Sequence, residues 1–240
     1  MQAVRTAEKP PIHPEERLEM RLYYMTAAQW AAVILEARRL KLSRFSEAND
    51  PFELRLIDSR DRDVRQYAQI IYDYFDHHVG FLCFGANWSS PVMWAHYAQK
   101  HTGVALGFDV PDELATKIDY SDEKIQVPFG SHLPNHGLSA ELLMRIQSTK
   151  STDWGYEREY RVQAPLIDKD PSTGLYYIDF DAKLQLREVI LGHRCSWTIA
   201  KAKDLVGTVT QPVRVCQARP AFGRFEMVEQ QRVRPVTIKP

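Results

Sequence analysis

Two short stretches set aromatic rings beside ionisable groups more densely than a core or a solvated surface requires. The first is Met93-Trp94-Ala95-His96-Tyr97, continuing to His101-Thr102-Gly103; the second is Trp154-Gly155-Tyr156-Glu157-Arg158-Glu159-Tyr160-Arg161. Aromatic walls that exclude water around a few placed charges are the material of a binding or catalytic pocket. In a strand, Glu157, Glu159 and Arg161 project from one face, and Tyr156, Tyr160 and Val162 from the other. Two carboxylates so aligned, with a guanidinium lowering the pKa of one, make a paired-carboxylate site. In a helix the same residues give only an i, i+4 ion pair between Glu157 and Arg161. Gly155 and the β-branched surroundings favour the strand, whose plain alternative is an exposed charged face. On a helix over residues 92–99, Met93, Trp94 and Tyr97 form one stripe, most simply core. His96 turns about 100° from Tyr97, toward a cleft beside Lys100. His96 or Tyr97 is expected to line one cleft with at least one of Glu157, Glu159 and Arg161.

Other candidates are thinner. Asn49-Asp50-Pro51-Phe52-Glu53 has the composition of a tight turn. Phe52 is expected to plug the core there, with Asn49 or Glu53 facing a ligand. His132 and His136 have the spacing of a metal pair, but Gly130 and Pro134 argue against a helix, and no metal is expected. Asp181-Ala182-Lys183, with Pro111-Asp112 upstream, fits a loose nuclease pattern that arises by chance in charged chains. Phosphate loop, dinucleotide glycine fingerprint and nucleophile elbow are all absent from the sequence.

Composition narrows the class. The 240 residues carry 31 Lys+Arg against 31 Asp+Glu, so no overall field draws in nucleic acid or anionic lipid. Strong general nucleic-acid binding is not expected. Cys83, Cys195 and Cys216 are too few for a disulfide framework and wrongly spaced for zinc. With no apolar run of about 20 residues and a charged, proline-bearing start unlike a signal peptide, the expectation is a soluble cytoplasmic protein away from membranes.

The elements that must position these residues follow from periodicity and punctuation. Pro10, Pro11 and Pro14 make residues 1–20 a flexible arm, and residues 21–240 read as one domain. Residues 22–25 form a strand, and Thr26 caps a helix whose apolar stripe is Trp30, Val33, Ile34 and Leu35. Residues 61–78 form an amphipathic helix stopped by Gly80. Strands are expected at 40–43, 81–84, 104–109, 117–120, 159–164, 176–178, 186–191, 212–215 and 224–228. Helices are expected at 92–99, 138–147 and 198–206, with a turn of helix at 111–115 and a loop over 128–137. Strands often follow strands, which defines an α+β fold: a mixed or split, mainly antiparallel sheet flanked by helices.

The order of these pieces resembles a bacterial domain-of-unknown-function family, number 2971. The resemblance rests on Leu22-Tyr23-Tyr24, Asn49 through Glu53, Met93 through Tyr97, His101 through Phe108, Lys150 through Arg161 and Glu188-Val189-Ile190-Leu191-Gly192. It covers about residues 22–192. Family members often carry a basic residue where this chain has Tyr24. The family implies an organisation and leaves the activity open.

Glu157-x-Glu159 is also similar to the Glu/Gln-x-Glu element of ADP-ribosyltransferases, an analogy that implies an ADP-ribosyltransferase-like fold and NAD as substrate. In those enzymes the second carboxylate stabilises the oxocarbenium ion as nicotinamide leaves, and the first orients the acceptor. On that analogy Glu159, Glu157 and His96 are the catalytic candidates. Arg21, Tyr23, Asn49, Trp94, Tyr97 and Arg161 are the ligand-binding ones, with the aromatics stacking on nicotinamide or adenine. Two readings stand: a nucleotide-using transferase, such as an effector in defence or toxicity, and a non-enzymatic small-molecule- or protein-binding module. A nuclease ranks a distant third.

Overall fold

The computed structural model describes residues 18–127 and 139–240. The expected arm up to residue 17, the 128–137 loop, His132 and His136 lie outside those residues. Glu19 and Met20, assigned to the arm from sequence, already belong to the first strand.

In chain order the elements are β1 (Glu19–Thr26), α1 (Ala28–Ala37), β2 (Arg39–Lys41), α2 (Arg62–His78), β3 (Val79–Gly85), α3 (Pro91–Tyr97), β4 (Val104–Pro111), β5 (Ala115–Lys117) and β6 (Asp119–Tyr120). There follow α4 (Ala140–Ser148), β7 (Thr149–Lys150), β8 (Glu159–Pro165), β9 (Tyr177–Asp179), β10 (Gln185–Leu191), α5 (Ile199–Val206), β11 (Val213–Pro220), β12 (Met227–Glu229) and β13 (Val236–Ile238). One α+β domain results. Its main sheet has the order β12-β11-β10-β4-β1-β3-β8-β5, with β13 also on β11. All its pairings are antiparallel except β10 with β11.

The sheet is split at its centre. β1 pairs with β4 along eight positions, yet meets β3 at one alone, Tyr23 with Gly85. Beyond that position the two strands part, and residues of both line a cavity. A strand edge left without a ladder must find other partners or face water, so this seam is where a pocket can form.

Local chemistry explains most element ends. The Asp61 side chain accepts hydrogen bonds from the Asp63 and Val64 amides and starts α2, while Ser90 caps α3 with Pro91 at its first position. Ser139 and Thr198 cap α4 and α5 in the same way. Val64, Ile71 and Phe75 of α2 are buried, as the helical period requires.

Several expectations need correction. Thr26 does not cap α1: Ala27 holds that position without a side-chain bond, and Ala31 and Leu35 face the core while Trp30 and Val33 are exposed. Of the expected stripe, Leu35 is buried and Ile34 packs against the core, so only its Trp30 and Val33 half fails. Gly80 does not stop α2 but lies within β3, where an added Cβ would sit 2.6 Å from Leu166 Cδ2 and 2.9 Å from the Leu42 Cβ. Close approach of neighbouring strands explains that glycine. The 224–228 strand starts later, as β12, because residues 221–226 form the turn from β11. Phe52 is 53% exposed and does not plug the core; the aromatic anchor is Phe45, buried and stacked 4.6 Å from Phe81.

Candidate functional site

The cavity at the seam encloses about 170 Å³. β1 contributes Tyr23, Tyr24 and Met25, and β3 contributes Leu82 through Gly85; Met93 and Tyr97 come from α3. Asn49 and Ser43 close one side, and Lys150, Glu157 and Glu159 supply the charge. Comparable space in an apolar cavity takes one six-membered ring.

Glu157 and Glu159 do not reach this place as neighbours on a strand. Glu157 ends a 3-10 turn over Thr152–Glu157, and Arg158 takes a left-handed conformation (φ 46°) before β8 begins. That kink, uncommon for a residue with a side chain, turns both carboxylates onto one ammonium group. Lys150 Nζ donates to Glu157 Oε2 at 2.6 Å and to Glu159 Oε2 at 3.2 Å, and lies 4.6 Å from the centre of the Trp154 ring. Lys150 is buried at the end of β7.

Arg161 anchors the other side. It is 1% exposed, donates from Nε to Glu159 Oε1 at 2.6 Å, and forks onto Glu53 at 2.7 and 2.8 Å. It also donates to the Gln147 carbonyl at 3.1 Å and from Nη2 to Glu159 Oε2 at 3.4 Å. The expected open charged face is therefore a buried network, in which Glu53 pairs with Arg161 and faces no ligand. Tyr97 donates its hydroxyl proton to Glu157 Oε1 and accepts from Asn49 Nδ2 at 2.9 Å.

Charge counting makes the site unusual. Three carboxylates (Glu53, Glu157, Glu159) face two cations (Lys150, Arg161), leaving one unit of negative charge in the network. The carboxylates respond differently. Burial pushes the Glu159 carboxyl up, but Arg161 and Lys150 outweigh it and hold the group at about 2. For Glu157, burial wins over Lys150 and Tyr97, and its carboxyl is held above the usual range. Burial and these anions drive the Tyr97 hydroxyl well upward, while the Lys150 ammonium is kept charged by Glu159 and Glu157 against its burial. Cys83 lines the cavity, and desolvation, with Glu159 adding to it, pushes its thiol up. Two adjacent carboxyl groups whose surroundings push them in opposite directions are the pairing acid–base sites use.

The structure thus brings Tyr97, Asn49, Tyr23, Glu157 and Glu159 to one cavity, with Arg161 directly behind Glu159. It does not bring Arg21, Trp94 or His96. Arg21 lies across the strand from Asp109, which it bonds at 2.5 Å. Trp94 is fully buried and gives its indole N–H to the Trp88 carbonyl at 2.6 Å, so it has no free face for a ligand. His96 is exposed and hydrogen-bonds the Tyr156 hydroxyl at 2.9 Å, outside the cavity. Tyr23 lines the cavity with its ring while its hydroxyl donates to Glu188 at 2.9 Å. It reaches across β4 at Gly107, where a Cβ would meet Tyr23 and Glu188 at 3.0 Å each. Lys150 and Cys83 had no role in the sequence reading. Lys150 lies just before the Trp154–Arg161 stretch, and nothing local distinguishes it from a surface lysine.

Fold and site together define an α+β domain with a paired-carboxylate pocket at the split of its sheet. Residues 93–162 match the model of the family described as Protein of unknown function (DUF2971). The span holds Tyr97, Lys150, Glu157, Glu159 and Arg161, but neither Tyr23 nor Asn49. No curated protein and no solved structure matches the chain. Among the described residues, no three His, Cys, Asp or Glu side chains gather as metal ligands, and no helix is long and apolar enough to cross a membrane.

Proposed function

We propose that this cavity is the active site of an ADP-ribosyltransferase-like enzyme that uses NAD. One observation carries the reading: a buried ionic network with an unbalanced negative charge opens, through Glu157 and Glu159, onto a ring-sized cavity walled by Tyr23, Tyr24, Phe84 and Tyr97. The nicotinamide of NAD is a cationic ring. Aromatic faces and a fixed negative charge both favour it.

As the glycosidic bond breaks, positive charge moves from the nicotinamide nitrogen to the ribose. The ionised Glu159 carboxylate, held by Arg161 and Lys150, faces that charge without having to reorganise. Glu157 has the raised pKa of a group that takes a proton from an acceptor, with Tyr97 and Lys150 orienting it. The cavity accommodates one ring, so the adenosine half of NAD lies outside it. Three free thiols fit a reducing compartment such as the cytoplasm.

A binding module without turnover is favoured by a different observation: every oxygen of Glu157 and Glu159 already has a donor. Nicotinamide release from NAD separates the two. The enzyme reading expects measurable release by the wild type and a loss of about two to three decades in Glu159→Gln. Because Glu159 also holds the network together, Tyr97→Phe is the companion variant; it keeps the ring, frees Glu157 Oε1 and should lower release while the protein stays folded. Binding of NAD with no release by the wild type would make the module the correct reading.

A further inference from the structure

The turn joining β11 to β12 displays two phenylalanines that nothing covers: Phe222 is 95% exposed and Phe225 99%. Residues with so much apolar surface in water, on an ordered turn, mark a contact site. The turn is held by the Ala221 amide donating to the Glu226 carbonyl at 2.8 Å and by the Arg219–Val228 and Pro220–Met227 pairs, so the two rings are presented on a fixed frame.

The rings face different depressions. Phe222 lines an open groove with Arg219, Arg224 and Gln231. Phe225 lines a cavity of about 330 Å³ with Asn87, Ser89, Tyr156, Glu157 and Arg158. Glu157 and Met93 line this cavity and the smaller one at the sheet seam as well, so Glu157 separates the two.

The charged side chains left without an ion-pair partner on these linings are guanidinium groups. Arg219 lies 4.4 Å from the centre of the Phe222 ring. Arg158, on the lining of the Phe225 cavity, is exposed, and its side chain makes no hydrogen bond or ion pair among the described residues. The acids on these linings are all paired: Glu229 with Arg214 at 2.6 Å, Glu226 with Arg224 at 2.7 Å and Glu157 with Lys150 at 2.6 Å. Exposed rings set between guanidinium groups, along two grooves meeting at one turn, combine stacking platforms with phosphate contacts.

We infer that the Phe222–Phe225 turn binds single-stranded nucleic acid, with one unpaired base on each phenylalanine and the base at Phe225 held in the cavity whose inner wall is Glu157. The binding stands independently of the transferase reading. Where both hold, Glu157 is the carboxylate reached from both sides, by the cationic ring and by the base.

The test is fluorescence anisotropy of a fluorescein-labelled, mixed-sequence oligodeoxynucleotide of about 12 nucleotides with the whole chain and no NAD. Binding is expected at about 50 mM salt and should weaken toward about 200 mM. Phe225→Ala should weaken it by about 5- to 150-fold, the range for one base stack. Arg158→Ala should make the log–log salt slope shallower by about 0.7, one phosphate contact on a single strand. All three side chains are exposed, so melting temperatures should match the wild type. No binding at the lower salt, a duplex of the same sequence binding at least as tightly, or unchanged affinity in the Phe222→Ala and Phe225→Ala double variant would overturn the inference. In the last case the exposed rings would belong to a protein interface.

Discussion

Glu159 carries two burdens at the residue scale, and they make its substitution informative. Its carboxylate is the one negative group touching both Arg161 and Lys150. Glu159→Gln keeps the shape but leaves two buried cations short of a counter-charge, and breaking such a pair costs about 3–5 kcal/mol. The melting temperature should therefore fall clearly, and an unchanged one would mean the network does not hold the fold. The pH dependence has a definite sign. Glu159 titrates lower in the folded protein, at about 2 against its ordinary 4.5, so the stability it confers is complete above pH 4.5 and is lost as pH falls toward 2. Glu157 is raised and acts oppositely: its contribution is present below the unfolded value and is lost as pH rises through the folded one. Urea titrations across acid pH should show a steeper acid loss in the wild type than in Glu159→Gln. Equal slopes would place the acid transition elsewhere.

Among the elements, the aromatic anchor separates two adjacent readings of the same region. Phe45 is buried and stacked on Phe81, whereas Phe52 stands half out of the protein with Lys124 Nζ 4.9 Å from the centre of its ring. Phe45→Ala should cost about 3–5 kcal/mol, and Phe52→Ala should stay near about 0.5 kcal/mol, as surface substitutions do. Denaturant midpoints of the two variants check this directly; equal losses would contradict the burial. The pair also shows why the turn is legible and its aromatic anchor is not. Asn49-Asp50-Pro51 announces a turn by its chemistry, and the Asp50 side chain does accept from the Phe52 amide at 2.9 Å. Which of two nearby aromatics faces inward is decided by α2 and β3, which local composition does not encode. The same holds for α1, where Trp30 and Val33 fit a helical stripe but the sheet accepts Ala31 and Leu35.

For the whole molecule, the division between what the sequence reveals and what it hides follows sequence separation. The amphipathic α2, the spans of α3 and α5 and the strands around Leu106, Val162 and Ile190 are local patterns, and they read directly. The convergence of Tyr97 with Glu157 was also legible, because each stretch mixes rings with charges. The Glu53–Arg161 fork spans 108 residues, and the opening between β1 and β3 depends on a strand pairing that leaves no trace in either strand alone. Lys150, set between them, was silent for the same reason. The central claim, a cavity with surplus negative charge that takes the cationic ring of NAD, is tested most directly by comparing NAD with its reduced form in a thermal-shift titration. The two differ chiefly in the charge and aromaticity of the nicotinamide. At about one hundred times its dissociation constant, NAD should add about 2.7 kcal/mol, a rise of about 5–10 °C for a domain of this size, while the reduced, uncharged ring at the same concentration should add much less. An equal rise from both forms, or none from either, would contradict the account.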